Sequence, residues 1–471
     1  MTKNNFLDFS LDSLYKNTVQ KLIKSWDALI KNPTLTDTLN QSVKGRDALK
    51  LLMRECIIHP GGEVTARKKT IELGYYYLGL LPKERKGFLK ILASEFDINK
   101  QLLDQKLQEL LTLKDKEKII NSRYELKEIL EPDRVKILRQ FASFDQGIKF
   151  LVDLRKDVLE LNDDKDIDLI SLDKDLKLIL SQWFDVGLLD IREINWSAPA
   201  SLLEKLIQYE AVHAIKSWND LKNRLDSDRK CYAFFHHKMA SEPLIFIEVA
   251  LSTHAAAKID ELLDESAPVT DISKTTFAIF YSISNTQKGL TGISFGNFLI
   301  KQVVEKLSHE FDTLKKFITL SPIPGFRKWL ETSFIDDREI NLSEEQIKLL
   351  KCSKDKIKAK EALLELVKSD WLYNKNSKAT LEKILPFICA YYLSAVKKDN
   401  KAYDPVAHFH LNNGAQIEQI NFAADISERG LAQSCSLMVN YRYKLPEIDE
   451  NHENYNKGII KISDNIKKLL Q

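Results

Sequence analysis

The first 190 residues place apolar side chains at the three- and four-residue spacing that is typical of amphipathic helices. Two series of this kind are Leu103, Leu107, Leu110 and Leu111, followed by Ile148, Leu151, Val152 and Leu159. Glycine and proline are rare in this part of the chain, apart from breaks at 59–62 and 131–132. The pattern predicts an all-helical bundle as an N-terminal domain over residues 1–190.

The pattern changes after Pro199, where three runs have the composition of β-strands. These runs are Tyr232–His236, Leu244–Leu251 and Phe277–Ile283. The middle run is almost continuously apolar, which predicts a strand that is buried on both faces. A glycine-containing loop, a helix over about 300–307 and a short strand at Lys316–Leu320 follow.

Residues 340–400 return to the helical spacing, and we interpret 335–400 as a helical insertion. The sheet is expected to resume around His408. This order of elements predicts an α+β protein, with a second domain over residues 191–471.

Composition narrows the classes of function. A chain of 471 residues is too long for one core, so two or three domains are expected. The formal charge of 70 − 68 = +2 provides no basic footprint for nucleic acid. Five scattered cysteines without CxxC pairs indicate a reducing compartment rather than a zinc site or a disulfide framework. Because no apolar leader and no membrane-length apolar window is found, we expect a cytoplasmic protein without membrane insertion.

The glycine-containing loop between the third strand and the next helix is a candidate anion site. Glycine lets backbone amides approach a ligand closely, and the N–H groups at a helix start favour phosphate. The same turn also has an ordinary structural explanation, and its spacing differs from that of a dinucleotide-binding fingerprint. The candidate binding residues are Gln287, Gly289, Thr291, Gly292, Ile293, Ser294, Phe295, Gly296 and Asn297.

Two further segments carry side chains that can move protons. Ser321 follows the short strand and precedes a Pro-Ile-Pro-Gly run, whose prolines hold the serine at a rigid strand end. A serine before proline is also an ordinary turn former. His408 and His410 alternate with apolar residues, so on a strand both imidazoles would face one side, ahead of a turn at 412–414. No third ligand at a suitable spacing accompanies them, so a metal site is not expected.

Four blocks of this sequence resemble the malonyl-CoA decarboxylase family. They are Ile283–Gly296, Thr319–Trp329, His408–Ala415 and Met438–Tyr443. The resemblance implies that the second domain has an acetyltransferase-like (GNAT-type) fold. In that fold the pantetheine arm of CoA enters where two neighbouring strands splay apart, and the pyrophosphate lies on the glycine loop.

The resemblance also implies an activity, the decarboxylation of malonyl-CoA to acetyl-CoA and CO₂ without metal, biotin or another cofactor. His410 is then expected to protonate the enolate carbon, and a histidine that titrates near neutrality suits this role. Ser321 would bind the departing carboxylate or relay a proton. Tyr443 is the third catalytic candidate, and Asn413 joins the substrate-binding set. Many relatives form homo-oligomers, often tetramers, through the helical domain.

One position departs from the family pattern. Many relatives carry a glutamate where this chain has Ser294, and serine brings no charge to support Ser321. Two alternatives therefore stay open. One is an acyltransferase, or a decarboxylase of another acyl-CoA, on the same fold. The other is a protein that binds acyl-CoA without catalysis.

Overall fold

The computed structural model describes residues 43–57, 62–162, 165–184, 186–293, 299–334, 340, 342–350 and 356–471. Outside them lie the predicted helical positions before residue 43 and four binding candidates, Ser294, Phe295, Gly296 and Asn297. The chain groups into two compact units. The first unit holds the described residues up to Asp190 together with two later segments, 235–243 and 287–293, and the second unit holds the rest. From sequence we had assigned both later segments to the second domain.

The first unit is helical, as predicted. Its described helices are α1 Val43–Ile57, α2 Glu63–Gly79, α3 Pro82–Glu95, α4 Lys100–Thr112, α5 Lys116–Ile129, α6 Asp133–Phe141, α7 Gly147–Leu161 and α8 Ile167–Trp183. The two apolar series differ in burial. In α7, Ile148, Leu151 and Val152 are each 1% exposed, whereas no residue of α4 is buried and Leu111 is 86% exposed. Only the α7 series therefore contributes to the core of the single chain.

The described strands form one large mixed sheet and a small hairpin. They are β1 Leu189–Ile194, β2 Arg229–His236, β3 Pro243–Ser252, β4 Phe277–Asn285, β5 Lys316–Thr319, β6 Ser321–Pro322, β7 Lys397–Lys398, β8 Lys401–Ala402, β9 Gln416–Asn421 and β10 Met438–Tyr443. The large sheet has the order β1-β2-β3-β4-β5-β10-β6, with β9 paired to β10. The four strands predicted before Ser321 are confirmed, whereas β1, β9 and β10 were missed.

The second unit also contains the helices that follow. They are α9 Ala200–Tyr209, α10 Trp218–Arg224, α11 Asp260–Leu263, α12 Leu299–Glu310, α13 Phe326–Thr332, α14 Glu344–Leu349, α15 Lys356–Lys368, α16 Lys375–Ser394, α17 Pro405–Asn412, α18 Glu428–Ser434, α19 Ile448–Asn456 and α20 Asp464–Leu470. The α+β class is confirmed, and so is the helical character of 340–400 for the described residues. Among the described residues, no helix has the length and apolarity needed to cross a bilayer.

The sheet contains a parallel pair next to an antiparallel one. β3 and β4 are antiparallel, but β4 and β5 run parallel from Phe277 opposite Lys316 to Phe280 opposite Thr319. The ladder stops there, while β4 itself continues to Asn285. Two neighbouring strands thus separate just before Ser321, which is the arrangement that the acetyltransferase-like fold requires.

The prediction of a strand around His408 is wrong, because these residues form helix α17. The helix starts with a strong signal: Asp404 caps it and Pro405 occupies its first turn, where a missing N–H costs nothing. Asn413 caps the other end, and Gly414 follows with a φ of 80°. The alternation of two histidines with apolar residues was therefore a coincidence within one helical turn.

Candidate active site

Ser321 lies where the strand that carries it is interrupted. Both β5 and β6 pair with β10 in one continuous antiparallel register, in which Ile318 faces Arg442 and Ser321 faces Val439. Leu320 separates the two short strands. The regular strand is therefore interrupted just ahead of Ser321, while β10 remains the partner strand on both sides of the interruption.

Side chains replace the missing backbone bonds at this break. The amide of Tyr441 donates to Oγ1 of Thr319 at 3.1 Å, and Nδ2 of Asn440 donates to the Thr319 carbonyl at 2.6 Å. All three residues are fully or almost fully buried, so these bonds satisfy groups that water cannot reach. Thr319 is thereby fixed directly beside Ser321.

His410 projects from α17 into a pocket of aromatic rings. The ring of Tyr441 stacks on the imidazole with centroids 4.5 Å apart, and Phe409 packs edge-on at 5.1 Å. Only 3% of His410 and 5% of Ser321 is exposed. The two side chains, 89 positions apart in sequence, therefore meet in a nearly dry environment.

A chain of hydrogen bonds joins four side chains. Ser321 Oγ lies 3.0 Å from Nε2 of His410 and donates to Oγ1 of Thr319 at 2.8 Å. Nδ1 of His410 lies 2.8 Å from the hydroxyl of Tyr443. Because the serine hydrogen points to Thr319, we assign the imidazole hydrogen to Nε2, which donates to Ser321, and Nδ1 accepts from Tyr443.

Burial sets the charge of these groups. It lowers the pKa of the His410 imidazole to about 3, so the ring is neutral at physiological pH. It also raises the pKa of the Tyr443 hydroxyl well above its usual range, which keeps that hydroxyl protonated. The expected titration of the histidine near neutrality is therefore wrong for this arrangement. The physical reason is that, among the described residues, burial is not offset by a carboxylate close to the ring.

Among the described residues, two of the polar atoms that are buried without a hydrogen-bond partner lie near this chain, one on the tyrosine that stacks on His410 and one at the end of α17. They are the hydroxyl of Tyr441 and Oδ1 of Asn413, whose Nδ2 donates to the Phe409 carbonyl at 2.8 Å. Buried polar atoms are normally paired, so an unpaired group near reactive side chains is available to a ligand. Asn413 is the C-cap of α17, and its place in the substrate-binding set stays a prediction.

The second histidine of α17 points elsewhere. His408 Nδ1 lies 2.7 Å from the hydroxyl of Tyr455 on α19, and this imidazole is only half-buried. Two residues along a helix correspond to a rotation of about 200°, which explains the separation. On β10, Nη1 of Arg442 lies 3.5 Å from Oε1 of Glu418.

The glycine loop belongs to the first unit. Gln287 donates to the Pro243 carbonyl, and the Gly289 carbonyl accepts from Arg155 on α7 at 2.7 Å. A Cβ at Gly289 would lie 1.8 Å from the carbonyl oxygen of Val152, so helix packing requires this glycine. Thr291 bonds within the turn, to the Lys288 carbonyl.

Gly292 has a different reason to be glycine. Its φ of 73° lies in the left-handed region, and a Cβ there would be 3.3 Å from Nζ of Lys177 on α8. Lys177 is exposed, and Ile293, the next residue of the loop, is 7% exposed. A lysine ammonium thus lies beside a tight glycine turn, which is a suitable environment for a phosphate group.

Sequence reasoning missed Thr319, Tyr441 and Asp404. Thr319 and Tyr441 were available, since each lies two positions from a residue already selected and so shares its face on a strand. Asp404 was also visible as an aspartate directly before a proline, a helix-start signal. Among the described residues, no group of three or more His, Cys, Asp or Glu side chains is arranged to hold a metal ion.

Comparison with known families gives two matches that together span most of the chain. The model of the malonyl-CoA decarboxylase C-terminal domain matches residues 187–471. The model of the malonyl-CoA decarboxylase N-terminal domain matches residues 96–184.

Individual relatives agree with this match. Mitochondrial malonyl-CoA decarboxylase from Anser anser anser is 34% identical over 407 residues, which is 83% of this chain and 80% of the relative. The enzyme of the same name from Rattus norvegicus is 34% identical over 413 residues, 84% of each chain. Crystal structures of malonyl-CoA decarboxylases from Rhodopseudomonas palustris and Agrobacterium vitis are both 36% identical, with TM-scores of 0.80 and 0.78. Each covers 90% of this chain and 99% of its own.

Proposed function

The chain belongs to the malonyl-CoA decarboxylase family, and we propose that it converts malonyl-CoA into acetyl-CoA and CO₂. The observation that carries this proposal is the buried contact of Ser321 Oγ with Nε2 of His410 at 3.0 Å. It supports the proposal because the decarboxylation of a malonyl thioester needs a hydrogen-bond donor and a transferable proton, and this pair offers both.

The reaction breaks the bond between the carboxylate carbon and the α-carbon of the malonyl group. The electron pair of that bond remains as a thioester enolate, and CO₂ leaves. A dry site strengthens any donor aimed at the enolate oxygen, and one such donor is worth on the order of 2.7–4 kcal/mol. We assign this contact to the Tyr441 hydroxyl, because its ring stacks on His410 and the hydroxyl has no hydrogen-bond partner among the described residues.

The enolate carbon must then receive a proton. We assign the source to Nε2 of His410, with the Ser321 hydroxyl relaying the proton, because Ser321 already occupies the hydrogen-bond position in front of Nε2. Tyr443 donates to Nδ1, so its proton can replace the one that leaves Nε2. The ring then ends neutral, and the negative charge of the enolate resides on the Tyr443 oxygen until it is protonated again. Solvent returns one proton per turnover, which balances the reaction.

This scheme uses a neutral imidazole and assigns no step to a metal ion, biotin or another cofactor. Its support is the hydrogen-bonded chain from Tyr443 to Thr319, which contains every proton that the steps require. The independence from metal is tested by chelation.

We further propose that the glycine loop and Lys177 hold phosphate groups of the CoA moiety. The support is the ammonium group beside the left-handed turn at Gly292, both within the first unit. We also retain two predictions, a cytoplasmic location and a homo-oligomeric state such as a tetramer. Light scattering after size-exclusion chromatography measures the latter.

The test of function is an assay of purified protein with malonyl-CoA in the presence of EDTA. We expect equal amounts of acetyl-CoA and CO₂, with a rate that the chelator does not change. Loss of activity on chelation would contradict the metal-independent scheme. Acyl transfer to an added amine, without free CO₂, would indicate an acyltransferase, and binding without turnover would indicate a non-catalytic protein.

A further inference from the structure

Asp404 occupies the start of the helix that carries His410. One carboxylate oxygen, Oδ1, accepts hydrogen bonds from the amides of Val406 at 2.9 Å and Ala407 at 3.0 Å. This is the geometry of an N-cap, which satisfies amides that have no partner within the helix. The residue is 1% exposed.

The other oxygen of the same carboxylate reaches the segment that carries Ser321. Oδ2 accepts from the Gly325 amide at 3.0 Å, and the hydroxyl of Tyr392 on α16 lies 3.5 Å from it. Between Ser321 and Gly325 stand two prolines, which fix φ and make this short segment stiff. A constraint at Gly325 is therefore transmitted to Ser321.

We propose that Asp404 is the positioning residue of the Ser321–His410 pair, because its two oxygens tie the His410 helix to the Ser321 loop. This inference rests on the proposed function, since it names what holds the two reacting side chains 3.0 Å apart. Asp404 itself contacts neither of them in the hydrogen-bond chain.

Capping alone does not explain an aspartate here. Serine, threonine or asparagine caps a helix about as well and brings no charge into a buried site. Burial raises the pKa of the Asp404 carboxyl, while the three amides that bond to it act in the opposite direction. Only a carboxylate can accept hydrogen bonds on both oxygens at once. The second oxygen accepts the bond from the Gly325 amide.

The limited space around residue 325 explains why it is a glycine. A Cβ at this position would lie 2.3 Å from the Tyr392 hydroxyl and 3.2 Å from Oδ2 of Asp404. The φ of Gly325 is −90°, which any residue can adopt, so space rather than backbone strain excludes a side chain. Tyr392 and the Asp404 carboxylate therefore leave no room for a side chain at residue 325.

The first experiment compares Asp404→Asn with Ser463→Ala. Asparagine has the same shape, but its amide nitrogen cannot accept, so either the Gly325 bond or the helix cap is lost. Ser463 caps α20 by accepting from the Ile466 amide at 3.3 Å, so its replacement removes a cap of the same unit away from the pair. We expect kcat of Asp404→Asn to fall about 10- to 100-fold, with KM changed less than about twofold.

Ser463→Ala should leave kcat within about twofold of wild type. A purely structural role for Asp404 predicts that both variants lose thermal stability while the kcat of correctly folded protein is retained. An unchanged kcat in Asp404→Asn, measured on protein with wild-type circular dichroism, would therefore overturn the inference.

A second pair of variants tests the same contact by rescue. Gly325→Ala should lower kcat by a similar factor, because its methyl group displaces the Tyr392 hydroxyl. Adding Tyr392→Phe removes that hydroxyl, which leaves the ring Cζ at an ordinary 3.6 Å, and should restore much of the loss. If the double variant is no more active than Gly325→Ala, the proposed steric role of Tyr392 is wrong.

Hydrogen exchange separates failure of the inference from failure of the function. Asp404→Asn should speed exchange either of the Gly325 amide or of the Val406 and Ala407 amides relative to wild type, whatever the substrate is. If wild-type protein forms no acetyl-CoA, the proposed function fails while this readout still tests the link through Asp404. If wild-type protein is active and the exchange of all three amides is unchanged, the inference alone fails.

Discussion

The Ser321–His410 pair and the glycine loop are built in opposite ways. The pair consists of side chains that are at least 95% buried and come from two distant segments of the second unit. The loop consists of a backbone turn held by helix α7, with an exposed lysine beside it, in the first unit. Burial makes the pair sensitive to every missing atom, whereas the Lys177 ammonium beside the loop is exposed, so a charge contact there is screened by solvent. We therefore expect the pair to control kcat and the loop to control KM.

The largest expected effect is that of His410→Ala. Removing the proton donor should lower kcat by about 10²-fold or more, while KM changes little, because binding is assigned to other groups. Steady-state kinetics with malonyl-CoA measures both constants. His408→Ala is the matched control on the same helix: it loses a bond to Tyr455 but should keep kcat within about twofold. Equal losses in the two variants would refute the assignment.

Tyr443→Phe should have the next largest effect. The variant keeps the ring but removes the hydroxyl 2.8 Å from Nδ1, so the imidazole loses the partner that fixes its tautomer. We expect kcat to fall about tenfold, as for one hydrogen bond to a reacting group. Tyr232→Phe removes another buried hydroxyl, on β2, and should not change kcat. Wild-type activity in Tyr443→Phe would remove the tyrosine from the proton path.

Lys177→Ala should affect binding rather than turnover. Loss of one phosphate contact is expected to raise KM about three- to tenfold at unchanged kcat. Added salt should weaken the difference between this variant and wild type, since the contact is exposed. Lys116→Ala removes an exposed charge elsewhere in the first unit and serves as control. A fall in kcat without a change in KM would contradict the division between pair and loop.

The smallest expected effect is on the pH profile. An exposed histidine has a pKa of about 6.5, but burial places that of His410 at about 3, so its neutral form predominates throughout the neutral range. Protonation, and with it loss of the Nδ1 acceptor, begins only as the pH falls toward 3. We expect kcat/KM of the free enzyme to show no inflection from His410 between about pH 5 and 8. An inflection near 6.5 that disappears in His410→Gln would show that the ring titrates normally.

The same shift has a consequence for stability. Because the folded pKa lies below the unfolded one, the unfolded chain binds more protons between the two values. The contribution of neutral His410 is therefore fully present above about 6.5 and is lost as the pH falls toward 3.

The fold was predictable where local pattern and tertiary environment agree. The apolar run at β3 and the apolar face of α7 could be recognised from the sequence. In the structure, nine of ten β3 residues are buried. The short strands β9 and β10 were missed because their polar residues, such as Asn421 and Asn440, are satisfied by each other across the sheet at 2.8 Å. Such pairing cannot be read from one segment alone.

Several residues of the candidate site were predictable from the sequence, but their pKa values and supporting contacts were not. Ser321, His410 and Tyr443 were selected, and the structure brings them into one hydrogen-bonded chain. The depressed pKa of His410 could not be foreseen, because it depends on burial among residues from three distant segments. The hydrogen bond from the Gly325 amide to Asp404 could not be predicted either, because 79 positions separate the two residues.

A double-mutant cycle on Ser321→Ala and His410→Ala tests most directly whether these two side chains act as one catalytic unit. If they do, either single variant abolishes the shared proton path, and the double variant loses no more kcat than the worse of the two. The expected result is therefore strong non-additivity in the rate of acetyl-CoA formation. If the two losses multiply instead, Ser321 and His410 act independently, and the proposed relay between them is wrong.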